Sequence, residues 1–320
     1  MPDAVELSVV IPVYNEEHTL EPLAEQLSEV LDSLGRSFEL IFVNDGSTDH
    51  SASILEGMRS DDPEHIRVVH FRRNFGKSAA LMSGFRRANG EIIFTMDADL
   101  QDEPAEIPRF VEKLSEGYDL VSGWKVHRQD PWSKRIPSKI FNGITAWLTG
   151  VHIHDVNCGF KGYRREVVEH LDLYGRLYRF IPVLASAQGF RVTEIPVRHH
   201  PRKAGQSKFG SVRLLEGFFD LLTVILLTKY LQRPLHLLGL PGVIFGLAGI
   251  AICGYLSVLW FNGMRPIGNR PLLLLGVLCV VLGVQFLSIG LLGEMLASHM
   301  RQHEAGRNSE RSQPVESEVE

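Results

Sequence analysis

Between Leu7 and Met96 the chain alternates short apolar runs with segments whose apolar residues recur at helical spacing. The first run, SVVIPV within Leu7–Val13, has a strand's length and ends in a turn. From 17 to 34, Leu20, Leu23, Leu27, Val30, Leu31 and Leu34 recur every three or four positions, which predicts a helix. Further strands are predicted at 38–43, 66–71 and 91–96, and helices at 51–58 and 79–88, with Thr48 or Asp49 capping the helix at 51. A βαβαβαβ order implies an α/β domain with a mostly parallel sheet and right-handed crossovers. Ligands on such sheets bind beyond the carboxyl ends of the strands. Polar residues cluster there: Asn15 and Glu16, Asp45, Arg73 and Asn74, then Asp97 and Asp99.

The last third follows another pattern. Residues 235–261 and 272–293 contain no Asp, Glu, Lys or Arg. Each run exceeds the roughly 20 residues that cross a ~30 Å hydrocarbon core. The loop between them, NGMRPIGNRP, is rich in turn formers, so a transmembrane hairpin at about 235–261 and 272–297 is expected. Lys229 and Arg233 precede it and Arg301, Arg307 and Arg311 follow, against Arg265 and Arg270 in the loop. That bias favours both flanks in the cytosol. Residues 211–233, apolar but punctuated by Arg213, Glu216, Asp220 and Lys229, read as an interfacial helix. The expected division is a polar domain at 1–210, this helix, the hairpin at 234–298 and a disordered tail at 299–320.

Composition narrows the classes. The 320 residues carry 33 Lys+Arg against 38 Asp+Glu, a formal net charge of −5. A protein built to neutralise nucleic-acid phosphates is therefore not expected. The three cysteines, Cys158, Cys253 and Cys279, are odd in number and form no CxxC, so no disulfide framework is expected. The N-terminus lacks the basic start of a signal peptide, so the polar domain is expected on the cytosolic side. Glycines Gly239, Gly242, Gly246 and Gly249 allow close helix packing, including a homo-oligomer.

The fourth strand runs directly into MDADLQDEP. Asp97 and Asp99, two apart, project to one side in extended backbone. Two hard carboxylates on one face suit Mg²⁺ or Mn²⁺, and Gln101 offers a third oxygen. Asp45 follows the second strand, where a carboxylate can accept hydrogen bonds from a base or ribose. Neither GxGxxG after the first strand nor a P-loop is present. His152, His154, His199 and His200 show no metal-binding spacing and read as local hydrogen-bonding residues.

PVYNEE (12–17), VNDGSTD (43–49), RNFGK (73–77), DADLQDEP (97–104), DVNCGFKGYRR (155–165) and RKAGQSKFG (202–210) occur in this order. Over about residues 6–210 that set resembles the family 2 glycosyltransferases that act on polyprenyl or dolichyl phosphate, and the hairpin resembles their undecaprenyl-phosphate branch. The resemblance implies a GT-A fold, a nucleotide-diphosphate sugar donor, a divalent metal and inversion at the anomeric carbon. It assigns Pro12, Tyr14, Glu16, Asp45, Lys77, Asp97, Ser207 and Lys208 to the donor, and Asp97, Asp99 and Gln101 to the metal. It gives Asp155, Asp99 and Arg202 to the transfer step. QxxRW of processive synthases is absent, so one sugar per turnover is expected.

A lipid monophosphate, with a second pKa near 6, is already ionised at pH 7 and needs positioning rather than a general base. Lys125, Lys134 and Lys139, with Arg128 and Arg135, form a basic cluster. Lys125, Arg128, Arg135 and Ser138 are the candidate acceptor-phosphate residues, although a basic cluster also serves as a headgroup anchor. Ile144, Trp147 and Leu148 could lie on the bilayer or pack in the core. The expected reaction moves one hexose, foremost glucose from UDP-glucose, to undecaprenyl phosphate on the cytosolic membrane face. GDP-mannose or a UDP-amino sugar as donor, and a non-catalytic sugar-nucleotide sensor, are the alternatives.

Overall fold

A computed structural model describes residues 5–126, 143–200, 220–226, 228, 234–264, 266, 268 and 271–311. Contacts divide the chain into two units, Met1–Val224 and Ile225–Glu320. In the first, β1 (Leu7–Val13), β2 (Phe38–Asn44), β3 (Ile66–His70) and β4 (Ile92–Thr95) run parallel. Three further strands, β5 (Leu120–Lys125), β6 (Lys161–Arg164) and β7 (Val192–Val197), extend the sheet. Its order is β3-β2-β1-β4-β6-β5-β7, with β6 antiparallel to both β4 and β5.

The expected parallel half is present, and its helices are α1 (Leu20–Ser33), α2 (Ser51–Asp61) and α3 (Lys77–Phe85). The second half of the sheet was not legible. β6 reads KGYR and has no aliphatic run, and β7 contains Pro196. Proline is tolerated there because β7 is an edge strand. Position His50, rather than Thr48 or Asp49, caps α2, and its side chain makes no capping bond. Asp49 still takes the Ser51 N–H at 3.0 Å.

The apolar stripe of α1 (Leu20, Leu23, Leu27, Leu31) packs with Val9 and Ile11 of β1, Phe42 of β2 and Phe110 of α4 (Ile107–Ser115). All are fully buried, and each such side chain contributes about 1.5–3 kcal/mol. This core clamps the strands, so the turns at their carboxyl ends have fixed origins. This unit also holds the short helices α5 (143–149), α6 (Arg165–His170) and α7 (Ile181–Ala187). Of the interfacial helix expected at 211–233, residues 220–225 are helical, and 211–219, 227 and 229–233 lie outside the described residues.

The second unit holds helices Pro234–Phe261 and Pro271–Arg311. Within them, Leu235–Phe261 and Pro271–Ser298 have mean hydropathies of 2.1 and 2.7 and are long enough to cross a membrane. Their glycines face each other. A Cβ on Gly249 would lie 2.6 Å from Val280 N, and one on Gly283 would lie 2.6 Å from Gly246 N. The small-residue seam is thus engaged inside the chain. Of the disordered tail expected at 299–320, residues 299–311 instead continue the helix, and 312–320 lie outside the described residues. Extending an existing helix needs no new nucleus, and RQHEA supplies good helix formers.

Candidate active site

The strand ends are stitched together by their own turns. After β1, Asn15 adopts φ +58°. Its Oδ1 accepts the Thr48 N–H at 2.8 Å, and its own N–H donates to Ser47 Oγ at 3.0 Å. Asn tolerates this left-handed conformation better than most residues. After β2, the Asp45 carboxylate accepts the N–H groups of Phe75 (2.6 Å) and Gly76 (2.9 Å). Asp45 therefore shapes the RNFGK turn. Gly46 permits this, with φ +69° and a hypothetical Cβ only 2.4 Å from the Arg73 carbonyl carbon.

Gly76, at φ +92°, turns the chain into α3, whose first residue is Lys77. Its ammonium pairs with Asp97 Oδ1 and lies 5.2 Å from the Tyr178 ring centroid. Burial lowers the Lys77 pKa, but Asp97 and Tyr178 outweigh that and hold it above the ordinary lysine value. After β4, Leu100 adopts φ +56°, strain of the kind that gathers at functional turns. The Gln101 N–H donates to Asp99 Oδ1 at 3.2 Å. Gly159 backs the turn: a Cβ there would sit 2.5 Å from Asp97 Oδ2.

Pro12, Tyr14 and Glu16 line one cavity of about 290 Å³ together with Asp45, Lys77, Asp97 and Asp99. It lies where the strand order reverses, between β1 and β4, the usual ligand position on such a sheet. Asp155 is buried nearby in sequence to Cys158 and Gly159. Burial pushes the Cys158 thiol up to about 12, so it carries no thiolate at neutral pH. Lys161 donates to the Cys158 carbonyl, and burial lowers its pKa to about 8.

A second cluster flanks the acidic turn. Asp102 is buried, with Lys125 Nζ at 3.0 Å and His199 Nδ1 at 3.6 Å from its Oδ1. Burial raises the Asp102 pKa, but Lys125 and His199 outweigh it and hold it at about 2. Gln101 donates its amide to the His200 carbonyl at 3.2 Å, and His200 Nε2 lies 2.6 Å from Glu103 Oε2. The histidines at 199 and 200 thus serve locally, as expected, and His154 pairs with Glu194. Lys125, expected beside the acceptor phosphate, is held by Asp102. Ile144 and Trp147 are not core: Trp147 is 81% exposed. Arg128, Arg135, Ser138, Arg202, Ser207 and Lys208 lie outside the described residues. Sequence reasoning assigned no role to Asp102, Gly159 or Lys161, although all three stand inside the quoted motifs.

Residues 8–172 match the model of the family described as Glycosyl transferase family 2. Undecaprenyl-phosphate 4-deoxy-4-formamido-L-arabinose transferases of Pseudomonas aeruginosa and Pseudomonas paraeruginosa are 41% identical over 291 residues. That alignment spans 91% of this chain and 84% of theirs. The chain belongs to glycosyltransferase family 2. Among solved structures, this glycosyltransferase is similar in fold to glucosyl-3-phosphoglycerate synthase from Mycobacterium tuberculosis. The complex with Mn²⁺, UDP and phosphoglyceric acid gives a TM-score of 0.54 at 22% identity, covering 69% of this chain and 78% of that one. The complex with Mg²⁺ and UDP gives 0.53 at 21%, covering 69% and 79%. These neighbours establish a GT-A architecture for the first unit.

The glycosyltransferase cavity fits a divalent cation by its charge. Four lining carboxylates (Glu16, Asp45, Asp97, Asp99) face one lining lysine, Lys77. A diphosphate entering such a lining meets net negative charge unless a cation accompanies it. Among the described residues no three His, Cys, Asp or Glu side chains form a closed metal cage. Mg²⁺ and similar ions need none, since one or two carboxylates plus substrate phosphates suffice.

Proposed function

We propose that this chain transfers one sugar, with inversion, from a nucleotide-diphosphate donor to the phosphate of a polyprenyl monophosphate at a membrane. The observation that carries the reading is the acidic cavity at the sheet's switch point, with Asp97 and Asp99 beside Lys77. The family, the relatives' acceptor and the two apolar helices support it. A lipid anchor suits a long prenyl substrate, since each CH₂ leaving the bilayer costs about 0.8 kcal/mol. The sugar for which the relatives are named favours 4-deoxy-4-formamido-L-arabinose, an amino-sugar derivative, over the glucose expected from sequence. Arg and Lys flanks favour a cytosolic first unit and cytosolic termini.

In this reading Pro12, Tyr14 and the Asp45-pinned turn hold the nucleoside end of the donor. Asp97 and Asp99, with Gln101 beside them, would hold Mg²⁺ or Mn²⁺, which when bound neutralises charge on the leaving diphosphate. Lys77 keeps the Asp97 carboxylate oriented. The acceptor phosphate is already ionised, so Asp155 positions rather than abstracts a proton. The basic residues Arg128, Arg135, Arg202 and Lys208, with Ser138 and Ser207, supply charge compensation and hydrogen bonds around the two phosphates.

The test offers undecaprenyl phosphate in bilayers with the full chain, a divalent cation and a panel of labelled nucleotide sugars that includes glucose, mannose and the formamido-arabinose. Lipid-extractable label from one donor, lost with chelator, is expected. Donor binding without lipid label from any donor would instead favour the sensor reading.

A further inference from the structure

His70 ends β3 and pairs in register with Asn44, which ends β2. Its two ring nitrogens join groups whose roles are fixed. On one side Nε2 lies 2.9 Å from Glu56 Oε1 of α2. Hydrogen bonds from His70 and Arg59 hold Glu56 below the ordinary carboxylate value, so at neutral pH it only accepts. On the other side Nδ1 lies 3.0 Å from Asn44 Nδ2. The oxygen of that amide, Asn44 Oδ1, accepts the Ser47 N–H at 2.9 Å, and a backbone N–H can only donate. The amide nitrogen therefore faces His70, and Nδ1 must accept from it. One form of the imidazole satisfies both ends, the neutral tautomer with its proton on Nε2. An imidazolium, or the other tautomer, would point an N–H at the Asn44 N–H. Asn44 is buried, so water does not replace a partner lost there.

The same order of donors and acceptors continues to the cavity. Ser47 Oγ accepts the Asn15 N–H at 3.0 Å, and Asn15 Oδ1 accepts the Thr48 N–H at 2.8 Å. Asn15 directly follows Tyr14 and Asn44 directly precedes Asp45, and both Tyr14 and Asp45 line the cavity. The Asn44 carbonyl also accepts the Phe71 N–H at 2.9 Å, where β3 leads into the RNFGK turn. A relay from Glu56 to Asn15 thus joins the ends of β1, β2 and β3. We propose that His70 is a positioning residue for the nucleoside end of the donor: as the neutral Nε2–H tautomer it sets the Asn44 amide, and through it the turns that carry Tyr14 and Asp45. His70 acts through Asn44 and touches no substrate. The proposal rests on the nucleotide-donor reading given above.

The experiment titrates full-chain wild type, His70→Leu, Glu56→Ala and Glu56→Gln in bilayers with UDP, GDP, ADP and CDP, each with Mg²⁺, by calorimetry. For the nucleotide that wild type binds, His70→Leu raises the Kd about tenfold, the effect of leaving one buried amide without its partner. In turnover the loss appears in donor KM and not in kcat. Glu56→Ala frees the proton to sit on either ring nitrogen and raises the Kd by less. Glu56→Gln, whose carbonyl still accepts from Nε2–H, returns the Kd to the wild-type value. A merely structural role lowers the thermal midpoint and the number of binding sites and leaves the Kd of the remaining sites unchanged, which overturns the proposal. If His70→Leu does not fold, the Glu56 variants decide, and equal Kd values in Glu56→Ala and Glu56→Gln overturn it. Nitrogen NMR spectra of labelled histidines in wild type, with the His70 signal assigned by its shift in Glu56→Ala, show Nδ1 without a proton at neutral pH. A protonated Nδ1 overturns the proposal. If wild type binds none of the four nucleotides, the nucleotide-donor reading itself fails, and this inference falls with it.

Discussion

The two ends of the sheet both carry a cavity, and the larger one is not the site. At the amino end about 440 Å³ is lined by Arg36, Arg164 and Arg165 with Glu91 and Glu166. Its arginines serve the framework: Arg165 donates to the Ala88 and Gly90 carbonyls, and Arg164 to the Leu114 and Tyr118 carbonyls. Near it, buried Glu39 accepts from Ser8 Oγ, the Asn89 N–H and Arg67. At the carboxyl end about 290 Å³ is lined by four carboxylates and one lysine. There, turn amides hold Asp45 and Asp99, which fixes the carboxylates without cancelling their charge. Cavity size measures how the strands and helices meet. Net charge that the protein leaves for a ligand to balance is what separates a site from a gap.

The sharpest way to break this comparison is to neutralise one charge at each end. At the carboxyl end, Asp99→Asn should lower turnover by about 10²–10³-fold, with an unchanged thermal midpoint, as measured by lipid-extractable label and by calorimetry. At the amino end the opposite split is expected. Glu39→Ala leaves Arg67, Ser8 and the Asn89 N–H facing a lost acceptor, and should cost about 3 kcal/mol in denaturant unfolding while turnover per folded molecule holds. A fall in turnover without loss of stability in Glu39→Ala would erase the distinction.

Two smaller effects sharpen it. Gly46→Ala places a Cβ against the Arg73 backbone at positive φ, at a cost of about 1–3 kcal/mol. Because the displaced turn carries the Phe75 and Gly76 amides, donor KM should rise before kcat falls. The pH dependence of Asp102 is the mildest. Its carboxyl is held at about 2, against an ordinary value of 3.8. The native state then binds fewer protons than the unfolded chain between about pH 4 and 2, so its stability falls as pH falls through that window. Thermal midpoints scanned over it should show wild type losing about 2 kcal/mol that Asp102→Asn does not lose.

Legibility differed for physical reasons. The parallel strands could be read because each is an apolar run between helices of clear period, and β1 matched the expected Leu7–Val13. The acidic pair could be read because a two-residue spacing at a strand end fixes the direction of both side chains. β6 and β7 could not, since their burial comes from neighbours rather than from their own composition. The helix at 299–311 was not legible because its polar residues give no apolar period, whereas helix continuation depends on the preceding turns. Glycines 242 and 249 were read as a surface for another helix, and only the fold shows that the second helix of the same chain fills it.

By itself the sequence determined the order of strands and helices, the two apolar spans and the acidic residues that end β4. These follow from local period, length and spacing, which the chain carries residue by residue. The tertiary structure alone decided how those residues are used. It turned Asp45 onto a backbone turn, set Gly159 against Asp97 and drew Lys125 and His199 onto Asp102. Each of these joins residues 20 to about 100 positions apart, and such a meeting is fixed by how the sheet closes rather than by any pattern along the chain.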